Sequence, residues 1–254
     1  MNKTVTHNLT TLLRVGAFED TQDANLYAMS PHKWRMLIKA SEELGIKPYI
    51  ARAAQMIEQG ITPLGEGHAP VCADNLSPEL LKLDTEVEEF DTSAAHLFNI
   101  ITQRNLDAVR EEERYTRGAA RNTLRLLDLI VANADTIITD DVSIEGIVTL
   151  GAFIRAHHDT IDFDKLNLWL ARIGLVQVAS LEGSMLISCM GFTRDELPFV
   201  RRTKKKSRDL FMNPIHKAFS PHSFSNMVRL DVAMLETISH RFMAAISLVT
   251  DIEE

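Results

Sequence analysis

The stretch SIEGIVTLGAFIRAHHDTIDFDKLNLWLARIGLVQVASLEGSMLISCMG, residues 143–191, decides the fold. It reads as three consecutive helices. Ser143 precedes Ile144, Ile147, Val148 and Ile154, an apolar set at helical spacing, and a serine there can satisfy the N–H groups that a helix start leaves without partners. Asp162 stands in the same relation to Leu166, Trp169 and Leu170, and Gly174 closes that helix. The third carries Leu175, Val178, Ala179, Met185, Leu186 and Cys189 and closes at Gly191. Strand signals are scarce by comparison.

The same punctuation recurs upstream. Leu9, Leu12 and Leu13 form a stripe ending near Gly16. Ser30-Pro31 is a cap with proline at the first helical position, and Trp34, Leu37, Ile38 and Leu44 come next, stopped by Gly45. Pro48 opens a helix through Ile50, Ala53, Ala54 and Ile57. Residues 60–78 are rich in glycine and proline and read as a loop, after which Ser77-Pro78 repeats the start signal. From Thr92 to Ala132 no proline occurs and the pattern is helical: Ala94, Leu97, Phe98 and Ile101 share a face. Glu113 and Arg117 stand four apart, and Leu124, Leu127, Ile130 and Val131 resume the stripe. A break near Gly118 stays open. Beyond Gly191, Thr193 and Glu196 have capping-box spacing, but Pro198 limits any helix there to about a turn. Ser220-Pro221 then starts a last amphipathic helix lined by Val228, Leu235, Ile238, Phe242, Ala245 and Val249. These signals predict an all-α bundle of about eight to ten helices. Its expected organisation is an N-terminal helical subdomain (1–60), a linker (61–78) and a main helical bundle (79–254).

Composition narrows the function. The 254 residues are 45% hydrophobic and 24% charged, an ordinary globular balance, and the net charge of -8 argues against nucleic acid as a default partner. Residues 1–14 lack the apolar core of a signal peptide, and no apolar run approaches the roughly 18 residues that span a bilayer, so a cytoplasmic protein with no membrane partner is expected. Cys72 and Cys189 share no metal spacing and read as reduced thiols.

Candidate chemistry is sparse. Gly183-Ser184 followed by Asp195-Glu196 suggests nucleotidyl transfer, in which a Gly-Ser turn holds the triphosphate and two carboxylates hold Mg²⁺. Adjacent acids point to opposite faces of a strand, however, and the position after Glu196 is Leu197. His157 and His158 are consecutive on a helix, about 100° apart, which suits a helix end better than one metal ion. Asp140-Asp141 read as solvated acids in a turn. Gly65 and Gly67 lack the strand–helix context of a phosphate loop. No catalytic residue, cofactor site or metal site is therefore assigned. The unusual feature is RRTKKKSR, residues 201–208. In an acidic chain, Arg201, Arg202, Lys204, Lys205, Lys206 and Arg208 are a candidate anion-binding set, with a solvated linker as the plainer account. No aromatic residues for base stacking are interleaved with it.

A resemblance adds to this reading. LLDLIVAN, the helices of residues 143–179 and LEGSMLISCMGFTRDELPFV resemble the helical C-terminal region of a bacterial family of uncharacterised nucleotidyltransferases. NLTTLLRVGAF and MSPHKWRMLIKASEELGIKPYIARA resemble its N-terminal helices. In that family the catalytic Gly-Ser and Asp-x-Asp segment lies between the two helical regions. Here residues 58–123 carry no such motif, and the family's Arg and Asp have no counterpart in Glu145–Gly151, so no catalytic residue carries over. The resemblance implies a relative with the helical scaffold and without the enzyme core. The expected role is a non-catalytic scaffold or interaction protein, acting on another protein or on a second copy through the C-terminal helix. The alternatives are a nucleotidyltransferase with a rearranged site and a polyanion or nucleic-acid binder through residues 201–208.

Overall fold

The computed structural model describes residues 3–20, 25–59, 76–87, 90–92, 96–97, 99–115, 119–139 and 142–219. Among them it contains nine α-helices and no strand, an all-α architecture. The described residues group into two compact units. The first draws on Met1–Glu89, Cys189–Gly191 and Phe211–Phe224, the second on Phe90–Ser188 and Phe192–Leu210. Most of the linker expected at 61–78, residues 61–75, lies outside the described residues, as do Cys72, Gly118, Asp140-Asp141 and the last amphipathic stripe.

In the first unit, α1 (Lys3–Phe18) packs on α2 (Pro31–Glu43) and, most extensively, on α3 (Lys47–Glu58). Leu9, Leu12 and Leu13 are wholly buried, as are Ile50, Ala53 and Ala54 on α3. Small residues set the approach of the two helices: a Cβ at Gly16 would lie 1.8 Å from the carbonyl oxygen of Tyr49. Asn8, buried on α1, pins the segment before α2 by donating to the Tyr27 carbonyl at 2.8 Å and accepting the Tyr27 N–H at 3.0 Å. The Ser30 cap and the Gly45 stop form as read, with Gly45 at φ 70°. Ser77-Pro78 does not start a full helix. Ser77 accepts the Glu79 N–H, but only a 3-10 turn at Leu80–Lys82 forms, because Leu80 alone is buried before the acidic, aperiodic residues 84–87.

The second unit is built on α4 (Ile100–Glu112), α5 (Ala119–Thr139), α6 (Ile144–His157), α7 (Phe163–Ile173) and α8 (Val176–Met190). Helix α5 packs on α6 and α7, and α4 packs on α7. Leu126, Leu127, Ile130 and Val131 of α5 are wholly buried, each stabilising the unit by about 1.5–3 kcal/mol. Ser143 and Asp162 cap α6 and α7 by accepting the N–H groups of Gly146 and Lys165, and Gly174 ends α7 in the left-handed conformation. Arg110 pairs with Asp128, Lys165 with Glu113, and Arg172 with both oxygens of Glu112 at 2.9 Å.

The helix expected from Thr92 starts eight residues late. Asn99 takes the cap, accepting the N–H groups of Ile101 and Thr102, and Leu97 is buried on non-helical backbone while Ile101 is exposed. A side chain able to cap outweighs a continuous apolar pattern. Among the described residues α4 ends at Glu112, residues 113–115 form a turn and α5 covers Ala119–Thr139, while Gly118 itself lies outside them. A further helix, α9 (Ser207–Ala218), lies where the sequence suggests a hydrophilic connection. Pro214 inside it hides the pattern, removing one backbone donor while Phe211 and Ile215 are wholly buried. No described helix is long and apolar enough to cross a membrane.

Candidate functional site

Helix α8 carries serines at 180, 184 and 188, four residues apart, which places them on one face. That face holds the basic run. Ser180 Oγ donates to the carbonyl of Arg202 at 3.4 Å, and Ser184 Oγ accepts the backbone N–H of Lys204 at 3.0 Å. Ser188 Oγ and Ser207 Oγ are 2.9 Å apart. Ser184 uses its own hydroxyl proton within the helix, donating to the Ser180 carbonyl at 2.5 Å. At the loop's end, Ser207 donates through both Oγ (2.7 Å) and backbone N–H (3.2 Å) to the Lys204 carbonyl, and α9 begins. Residues 202–207 are thus a loop with three anchor points on a helix.

The clamp sorts the six basic residues. Arg201, Arg202, Lys205, Lys206 and Arg208 are exposed, whereas Lys204 is only 8% exposed. Its backbone is an anchor, so the residue turns inward, and it does not belong to the outer surface that the sequence assigns to it. The five others present a dense cationic surface held in a fixed backbone geometry, at the start of a helix whose macrodipole adds partial positive charge; Asp209 is the acid in its first turn.

The other sequence candidates are placed apart. Gly183 and Ser184 lie within α8 rather than in a turn. A Cβ at Gly183 would meet Val200 Cγ2 at 2.3 Å, so this glycine admits the side chains of the following loop instead of a phosphate. Asp195 is exposed. Glu196 completes the capping box, accepting the Thr193 N–H at 2.7 Å, and pairs with Arg155 at 3.1 Å. Burial pushes the Glu196 carboxyl up, but the Thr193 hydrogen bonds and the Arg155 guanidinium outweigh it and hold the group below its ordinary range. Ser184 is therefore joined to the basic run, and Glu196 to the α6 arginine. His157 ends α6 with its ring 4.6 Å from Phe153, and His158 packs against Phe163 at 5.2 Å. Among the described residues no group of three or more His, Cys, Asp or Glu is placed to hold a metal ion.

One residue escapes the sequence reading altogether. Glu182 is wholly buried on α8, and desolvation raises its carboxyl well above the ordinary value, with the Asn133 side chain on α5 acting against the shift. A lone acid among Ala179, Leu181, Met185 and Leu186 was the available signal, as was the four-residue recurrence of serine on the same helix.

No family model, curated protein or solved structure matches the chain.

Proposed function

We propose that this is a non-catalytic interaction protein whose clamped basic loop, residues 201–208, takes an acidic segment of another protein. The observation that carries the reading is the serine face of α8. A solvated linker needs no anchors, whereas three hydrogen-bonding serines fix the backbone from Arg202 to Ser207 beneath five exposed cations. A surface already ordered loses less conformational entropy when a partner binds. The chain's net charge of -8 and the lack of aromatic residues in the run favour a protein carboxylate surface over a nucleic acid. The resemblance to the helical regions of a nucleotidyltransferase family, without that family's catalytic motif, supports the same reading.

The test compares the full chain with a variant carrying Ala at Arg201, Arg202, Lys205 and Lys206, against an acidic peptide and a single-stranded oligonucleotide over a range of salt. The expected result is salt-dependent peptide binding, lost in the variant, with weaker oligonucleotide binding. Tighter oligonucleotide binding, with a steep salt slope that the variant flattens, would transfer the loop to nucleic acid. Mg²⁺-dependent pyrophosphate release from nucleoside triphosphates, abolished by Asp195→Asn, would replace the reading with an enzyme.

A further inference from the structure

The interior of the second unit holds a carboxyl group that has no hydrogen-bond partner. Both carboxyl oxygens of Glu182 on α8, and Oδ1 of Asn133 on α5, are buried and make no hydrogen bond. The Asn133 amide cannot turn to relieve this. Its Nδ2 donates to the Gly146 carbonyl of α6 at 3.2 Å, and its Oδ1 occupies the place a Cβ of Gly146 would take, 2.0 Å away. An ionised carboxylate here would be a buried charge without a partner, which is strongly unfavourable in a low-dielectric interior. One proton removes the charge.

We propose that Glu182 is a neutral carboxylic acid in the interior of the second unit, which takes up that proton as it folds. No opposite charge substitutes for it. The ionisable groups on α5, α6 and the clamped loop include Asp128, Asp135, Arg125, Glu145, Arg155 and Lys204. Asp128 is engaged by Arg110, Asp135 lies beside His96, and none of these charges contributes to the state of Glu182, which burial and Asn133 alone determine. The serines that clamp the basic loop occupy other positions on the same helix.

The pH dependence then has a definite direction. The folded chain holds a proton that the unfolded chain releases above the ordinary carboxyl value, so this group's contribution is most favourable at low pH. It declines as pH rises from about 4.5 to the raised folded value, by up to tenfold in the folding equilibrium per pH unit.

The experiment measures urea unfolding of the full chain and of Glu182→Gln, an isosteric neutral amide, between pH 5 and pH 9. The variant should flatten the profile by one proton and gain relative stability toward high pH. Carbon NMR of the glutamate-labelled full chain should show one carboxyl still protonated at neutral pH, and that signal decides the matter if the variant does not fold. Parallel pH profiles for the two proteins, or every glutamate carboxyl ionised at neutral pH, would overturn the proposal.

Discussion

Ser184 Oγ accepts the backbone N–H of Lys204 at 3.0 Å across twenty residues of sequence, and both groups are buried. This bond joins the middle of the basic loop to the middle of helix α8. It fixes which lysine of the run turns inward and which charges stay outside.

Replacing Ser184 by alanine leaves the Lys204 N–H buried without an acceptor. The expected loss is about 1–3 kcal/mol of stability, read from denaturant midpoints. Amide hydrogen exchange at Lys204 should accelerate by a larger factor than exchange in α6. Unchanged protection at that amide would show that the anchor is redundant.

Gly16→Ala tests the contact of α1 with α3. The new methyl would fall 1.8 Å from Tyr49 O and 3.0 Å from Ala53 N, both backbone atoms. Backbone cannot swing aside as a side chain does, so the helices must part. The substitution should cost at least about 1–3 kcal/mol, visible as a lowered Tm. Helix propensity alone would raise Tm, so a gain would show that the helices are more widely spaced.

The start of α4 can be checked through its cap. Asn99→Ala removes the acceptor for the Ile101 and Thr102 N–H groups and should cost about 1 kcal/mol. Thr92→Ala is not expected to act as a cap substitution, because the chain there is not helical. If Thr92→Ala instead lowered helical circular dichroism while Asn99→Ala left it intact, the helix would begin well before Asn99.

Glu196 sets an acid limit. Its carboxyl is held below the ordinary value near 4.5, so its contribution is complete above that pH and is lost as pH falls through the folded value. Arg155, stacked 4.1 Å over the Phe192 ring, supplies part of that effect. Arg155→Gln should destabilise the chain at pH 7, and the gap should narrow as the medium is taken from pH 5 to pH 3. A gap that stays constant over this range would assign the effect of Arg155 to its ring contact alone.

Much of the fold was legible because helix ends are written locally. Ser30, Ser143 and Asp162 cap, and Gly45, Gly174 and Gly191 stop, within one turn of where the sequence puts them, since the groups they satisfy belong to the same few residues. The readings that failed involved competition. Asn99 displaced the start read at Thr92, and Pro214 concealed the helix whose apolar residues Phe211 and Ile215 are buried.

The candidate site was half legible. Charge density alone marked residues 201–208, but which lysine is buried depends on where α8 lies, and that is a long-range fact. Serine recurrence on α8 and the single acid at Glu182 were visible as residues without a meaning, because neither has a partner nearby in sequence.

The sequence by itself determined most of the described helices, with their caps and stops, and the sign and position of the cationic loop, because each rests on backbone groups and charges a few residues apart. The tertiary structure decided that Ser180, Ser184 and Ser188 hold that loop, that Lys204 faces inward, and that Glu182 meets Asn133 across forty-nine residues. Hydrogen bonding and desolvation act over a few ångströms, so their outcome is fixed only when packing brings distant segments together.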